Sequence, residues 1–391
     1  MTFWSRLPVP VIGLSPMDGV TDAAFRLMTA RHGKPDVVFT EFTHVHDVCR
    51  GPEFLLDSLR YDDVERPIVA QLYGKDPEMF YQAAHIVCEL GFDGLDINMG
   101  CPSRNVASSG SGAGLIRTPD LAHTIMRAAR QAIVDWAGGQ TLEAAGVKAA
   151  RVEAVQRWNA RRNHAVPSVR QAIPLSVKTR LGYDEVIVER WIEHLLVESP
   201  AVISLHGRTL QQMYRGEADW AAIGRAVQVV RGTGTLLFGN GDVQSLSEAV
   251  CRVRDTGVDG VLVGRAALGA PWFFRDKEEA RRHAQAGQPW EPHPWEPSLA
   301  ERFDILLAHA REFDAQSGAD QFRRMRKHLG WYCKGFPHAA ALRACMFLAS
   351  SVGEVEALVA DYSRGRLMHD PRMDHPSFDD READHLASRC G

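Results

Sequence analysis

The sequence predicts a (β/α)8 barrel followed by a small C-terminal helical domain, and three observations lead there. Eight short, near-continuous apolar runs alternate with amphipathic stretches, as strands of a parallel sheet covered on both faces do. Residues able to do chemistry stand at the ends of these runs, where parallel α/β folds place their sites. The GxGxxG turn that would open a doubly wound sheet is missing after the first run. A chain of 391 residues has room for such a barrel and a smaller second domain.

The expected strands are Val11–Met17, Val37–Phe42, Ile68–Leu72, Gly94–Met99, Leu175–Thr179, Val202–His206, Leu236–Gly239 and Gly260–Val263. Pro77–Leu90 and Leu246–Thr256 are among the helices between them. The connection before the fifth strand is too long for a barrel loop. Residues 134–167 pass Trp136-Ala137-Gly138-Gly139 and an Arg-rich stretch, and read as an insertion bearing a solvated surface helix. An RNA-facing arm is the weaker alternative. The barrel domain is thus set at 1–285. Lys277–Pro297, charged and then rich in proline and tryptophan, reads as a linker. Helical periodicity resumes over 298–362. The polar tail, 363–391, reads as disordered.

Composition narrows the function classes. With 45% apolar and 24% charged residues, the chain resembles ordinary globular proteins. A net charge of −4 offers no overall basic field, so any nucleic-acid contact must be a local patch. The seven cysteines form no CxxC pair, which argues for reduced thiols and against a disulfide framework or metal site. No leader-like start and no membrane-length apolar run are present, so a cytoplasmic protein is expected.

The candidate chemistry sits at the strand ends. Asp96-Ile97-Asn98-Met99-Gly100-Cys101-Pro102 carries a cysteine onto a turn shaped by Gly100 and Pro102. A thiol with an ordinary pKa of about 8.5 is mostly protonated at neutral pH, so it serves as a proton donor as well as a nucleophile. A buried structural cysteine is the ordinary alternative; the turn glycine and the Asn98 amide count against it. Lys178 ends the fifth strand and has no obvious structural reason to point into a barrel. It suits a Schiff base or a fixed charge beside an anion or electron-rich ring. His206 ends the sixth strand at the same mouth.

Gly239-Asn240-Gly241-Asp242 and Gly264-Arg265 follow the seventh and eighth strands, the loops that commonly bind phosphate in barrels. Arg265 adds a fork of charge-assisted donors. Gln71 offers an amide that both donates and accepts. Pro16 and Met17 could face a flat ring or simply pack in the core. Glu41 reads equally as an ion-pair partner or a catalytic group.

Taken in order, Ser15-Pro16-Met17-Asp18-Gly19, Thr40-Glu41-Phe42, Val69-Ala70-Gln71, the Asn98–Pro102 motif, Val177-Lys178-Thr179-Arg180, His206-Gly207-Arg208-Thr209, Gly239–Asp242 and Gly264-Arg265 resemble the tRNA-dihydrouridine synthases. The likeness spans about 10–274, with a weaker helical echo over 322–332. It implies an FMN-binding barrel, a helical tRNA-binding domain, and NADPH-dependent reduction of a tRNA uridine to 5,6-dihydrouridine. It further implies Cys101 as proton donor, and Pro16, Met17, Gln71, Lys178, His206, Asn240, Gly241, Asp242, Gly264 and Arg265 around FMN. Asn98 and Arg180 would grip the uracil and nearby RNA. Arg323, Arg324, Arg326 and Lys327 would hold phosphates, unless they are a solvated helix face. No metal and a monomer are expected. The rival readings are an FMN-dependent dehydrogenase of free pyrimidines or dihydroorotate, a flavin-free Schiff-base enzyme built on Lys178, and a catalytically silent RNA-binding flavoprotein.

Overall fold

The computed structural model describes residues 2–162, 165–167, 169–290 and 295–365. Its sheet is a parallel barrel: β1 (Val11–Leu14), β2 (Val38–Phe39, resumed after a break at Thr43–His44), β3 (Ile68–Tyr73), β4 (Gly94–Met99), β5 (Leu175–Arg180), β6 (Val202–His206), β7 (Leu236–Asn240) and β8 (Gly260–Val263). Ladders run from β1 through β8 and back down to β2. Between β1 and β2, Asp36 N donates to Ile12 O at 3.0 Å and Leu14 N to Val37 O at 3.0 Å, which nearly closes the ring.

Most strands fall where the apolar runs put them, and the shifts have local causes. β1 stops at Leu14 because Pro16 has no N–H for a ladder, and Met17 N turns aside to Thr21 Oγ1. β2 is broken around Glu41, where Thr40 Oγ1 accepts Gln71 N from the neighbouring strand. The N-terminal face is plugged by Phe3 and Trp4, which pack with Phe39, Val69 and Phe238. That plug was not legible as a barrel element, since it precedes the first strand.

Two stretches differ from the sequence reading. Lys277–Gln285 is a helix, not a linker: Ala280 is buried, Arg281 pairs with buried Asp36, and Arg281 Nε donates to Pro10 O at 3.0 Å. A buried carboxylate demands a cation, and this helix delivers one to the bottom of the barrel. Ala149–Arg161, inside the insertion, is a surface helix but is not solvated all round. Val152, Val155 and Trp158 are buried in the main core, and Asn159 Nδ2 donates to Glu89 O at 2.9 Å.

After the barrel come helices Leu299–Ser317, Arg326–Tyr332, Ala339–Met346 and Val352–Ser363, around their own apolar cluster of Phe313, Phe322, Leu329 and Val355. Ala24 and Trp272 of the barrel join that cluster. Gly269, at φ +66°, lies so close to the Trp331 carbonyl that a Cβ would meet its oxygen at 2.1 Å. The expectation of a disordered tail falls almost wholly on residues 366–391, outside the described residues. Among the described residues, no helix is long and apolar enough to cross a membrane, and no three His, Cys, Asp or Glu side chains are grouped to hold a metal ion.

Candidate active site

The C-terminal ends of the strands enclose a cavity of about 250 Å3. Pro16, Met17, Asn98, Cys101, Lys178, Arg180, His206, Asn240, Gly241, Asp242, Gly264 and Arg265 all contribute to its wall. The topology explains the convergence. β4 and β5 pair so that Asn98 stands opposite Lys178, and β6 pairs with β5 so that His206 stands opposite Arg180.

Cys101 is held by its turn. Asn98 Oδ1 accepts the N–H of Gly100 at 3.0 Å and that of Cys101 at 2.8 Å. Asn98 Nδ2 donates to Gln71 Oε1 at 3.0 Å, Gln71 Nε2 to Asp96 Oδ2 at 2.7 Å, and Ser176 Oγ to Asp96 Oδ1 at 2.6 Å. Asn98 and Gln71 thus turn their amides toward each other. Gln71 is fully buried beneath the cavity and does not line it, while Asn98 serves the cysteine turn. Burial pushes the Cys101 thiol up, so it keeps its proton at neutral pH. Asp96, fully buried, is pushed up to about 6.

Lys178 makes no hydrogen bond or ion pair among the described residues, and burial, reinforced by Arg180, pulls its amino group down to about 8. A half-buried donor on the cavity wall, with no acceptor among the described residues, fits an acceptor supplied by a bound ligand. Arg180 is differently placed. Its Nε donates to Gly100 O at 2.7 Å and its Nη1 to Thr209 O and Met213 O, both at 3.1 Å, and its Cζ lies over the Tyr214 ring, 6.0 Å from the ring centre. It braces the cysteine turn against the loop after β6, and Met213 and Tyr214 of that loop line the cavity. The sequence reading missed both; no pattern marks a loop residue that folds back over a mouth.

His206 is neutral: burial, then Arg180 and Lys178, hold its imidazole well below its usual range. Arg208 Nη1 lies 3.4 Å from His206 Nε2. The side chain of Asp242, one of the residues expected around FMN, is taken up by protein partners. It accepts Arg208 Nη1 and Nη2 at 3.1 and 2.6 Å, Arg265 Nη2 at 2.8 Å, and Ala218 N at 2.8 Å. A carboxylate repels phosphate, so its effect is to aim the two arginines. Gly241, at φ +129°, and Gly264 bring bare backbone to the wall; a Cβ on Gly264 would meet Met17 Sδ at 3.2 Å. An unpartnered lysine, a neutral histidine and two glycine turns beside Arg265 fit a cofactor that carries both an electron-rich ring and a phosphate.

The basic segment of the helical part divides. Arg323 and Arg324 are exposed. Arg326 instead donates to Ala349 O at 2.7 Å and Leu348 O at 2.8 Å, and Lys327 Nζ to Gly19 O, which ties the helices to the barrel mouth.

A dihydrouridine synthase family model matches residues 13–135 and 160–364, leaving out most of the insertion. A Bacillus subtilis protein named "Probable tRNA-dihydrouridine synthase 2" is 34% identical over 373 residues, 93% of this chain and 98% of the relative. A Staphylococcus aureus (strain MRSA252) protein named "Probable tRNA-dihydrouridine synthase" is 31% identical over 368 residues, 92% and 95% of the two chains. Among solved structures, DHODH from Eimeria tenella in complex with ferulenol aligns over 73% of this chain and 86% of its own. Its identity is 15% and its TM-score 0.47, a likeness too distant to argue from.

Proposed function

The chain belongs to the dihydrouridine synthase family, and on that footing we propose that it reduces specific uridines of tRNA to 5,6-dihydrouridine. Saturating the C5–C6 bond of uracil requires a hydride at one carbon and a proton at the other. FMN, when bound, supplies the hydride, taken from NADPH. Cys101 supplies the proton to C5. The observation that carries this reading is the thiol itself: buried, protonated, and fixed on the cavity wall by Asn98, the register partner of Lys178 on the neighbouring strand.

The other residues prepare that transfer. Lys178 donates to the pyrimidine edge of the flavin and favours negative charge there. His206 is assigned to the flavin as well; Gln71, expected there too, acts from beneath by orienting Asn98. Asn240, Gly241, Gly264 and Arg265 hold the phosphate. Arg180 keeps the cysteine turn and the Tyr214 loop at a fixed separation, so the uracil enters between them. A base within folded tRNA must be extruded to reach this depth. The helices of 298–362 form the tRNA-binding domain, with Arg323 and Arg324 meeting phosphates.

The test is an anaerobic absorption experiment on the purified holoenzyme. A flavin band that bleaches with NADPH and recovers on adding unmodified tRNA supports the proposal. Recovery with free uracil or orotate would replace it by a pyrimidine dehydrogenase, and a protein that takes up no FMN would overturn it.

A further inference from the structure

Beside the reaction cavity lies a second hollow of about 760 Å3, between the barrel mouth and helix Leu299–Ser317. The two share Asp18, Phe42 and Ser103, so a chain leaving one enters the other. Its volume lies within the roughly 300–1,000 Å3 of small-ligand sites.

Three features of its wall point to one kind of occupant. Phe42, Tyr73 and His44 form a row of half-exposed rings that starts at the reaction cavity. Phe42 and Tyr73 meet edge to face at 5.0 Å, and His44 lies 4.9 Å from Tyr73. Such a row is the platform on which proteins stack unpaired bases. Glu41, in the break of β2, lines the hollow and makes no hydrogen bond or ion pair among the described residues. Burial, with Asp22 beside it, pushes its carboxyl up to about 7, against the pull of Arg26. Finally, Asp18, Asp22 and Glu41 line the hollow; of its two arginines, Arg60 is paired with Asp57 at 3.3 Å, and Arg324, which comes from the helical part, is exposed. Carboxylates inside repel a phosphate and an arginine at the edge attracts one. A nucleotide would therefore enter base first.

We infer that this hollow holds the nucleotide adjacent to the reacting uridine, with its base on the Phe42–Tyr73–His44 row and its N–H edge read by Glu41. Guanine is the base that fits, because its N1–H and N2–H donors match the two oxygens of the Glu41 carboxyl once ionised, and accepting both would hold it in that form. The inference rests on tRNA being the substrate. It adds a neighbouring-base reading that would help decide which uridine is reduced.

The experiment uses flavin-loaded enzyme and unmodified tRNA transcripts in which the residue on either side of the reduced uridine is guanosine, inosine, adenosine or abasic. Flavin content is scored first, and reoxidation of the NADPH-reduced enzyme is followed against transcript concentration. The wild type should prefer guanosine at one flank by about fivefold or more, since inosine lacks the N2 amine. Glu41→Gln should erase the difference between guanosine and inosine. Tyr73→Leu should raise the half-saturating concentration about tenfold, by loss of stacking, with a smaller change in the maximal rate. Tyr73→Phe, which keeps the ring, should restore the wild-type value. His44→Ala provides a second ring deletion if Tyr73→Leu loses its flavin. Unchanged half-saturation in a flavin-loaded ring deletion, or an unchanged base ranking in Glu41→Gln, would overturn the inference. If the wild type bleaches with NADPH but no transcript reoxidises it, the tRNA reading fails and the inference falls with it.

Discussion

The backbone N–H of Cys101 donates to Oδ1 of Asn98 at 2.8 Å, and this bond joins the thiol's turn to a buried relay ending at Ser176. Each amide in the relay has its polarity fixed by the next group. Asp96 can only accept while ionised, so Gln71 presents its NH2 to it and its oxygen to Asn98; Asn98 then presents its own oxygen to the turn. The place of the Cys101 thiol is thus set four side chains away.

Cys101→Ala should retain FMN and its bleaching by NADPH but slow tRNA-dependent reoxidation about 100-fold or more, the usual size of a general-acid contribution. Stopped-flow absorbance under anaerobic conditions separates the two half-reactions. Equal reoxidation rates in variant and wild type would remove Cys101 from its role.

Asp96→Asn tests the relay through stability. The folded carboxyl titrates at about 6, above its ordinary value of 3.8, so its share of stability is full below pH 4 and lost as pH rises through 6. For a wholly buried group this is of order 2–3 kcal/mol at about 1.4 kcal/mol per unit. Ser176 can rotate to accept the new amide, so the fold should survive. Urea midpoints between pH 4 and 6.5 should fall in the wild type relative to the variant. Parallel curves would show that Asp96 is not perturbed.

On the proposed role of Lys178, its amino group should set the pH dependence of cofactor binding. Its amino group titrates at about 8 in the free protein, and a flavin that accepts from it binds the protonated form best. Affinity for FMN, followed by flavin fluorescence, should weaken as pH rises above 8. Lys178→Met should bind about tenfold more weakly below pH 8 and show no such slope. An equally steep slope in the variant would place the titrating group elsewhere.

Asp242→Ala removes a negative charge from the end of the cavity proposed for the phosphate, yet it should weaken FMN binding. Arg208 is nearly inaccessible and would lose its bidentate partner, and Arg265 would lose its aim. Breaking such a buried pair costs roughly 3 kcal/mol or more, which a lowered melting temperature would register. Tighter FMN binding would show that repulsion by Asp242 outweighs its hold on the arginines.

Gly269→Ala should loosen the helical part from the barrel. The new Cβ would press on the Trp331 carbonyl, and φ at +66° disfavours any L side chain. A loss of about 1–3 kcal/mol is expected. The half-saturating tRNA concentration should rise while FMN affinity holds; a variant as stable as wild type with unchanged tRNA response would contradict the role of that contact.

The sequence by itself determined the barrel and the place of its chemistry. Apolar runs of strand length recur at barrel spacing, and a strand's end is visible where a run meets Asn-Met-Gly-Cys-Pro or Val-Lys-Thr-Arg. Cys101, Lys178, His206 and Arg265 are therefore legible as mouth residues from local pattern alone. What only the tertiary structure decided is which hydrogen bond each polar group makes. Asn98 holds Gln71 and the cysteine turn; Arg180 braces two loops; Asp242 orients arginines; Arg326 holds the turn that follows helix Ala339–Met346. The helix Lys277–Gln285 looked like a linker because Asp36, the partner of its Arg281, lies 245 residues earlier in the chain. Local pattern fixes strands and helices because periodicity is a local property. A buried donor's partner is chosen by the packing of distant segments, and that choice appears only when the chain has closed on itself.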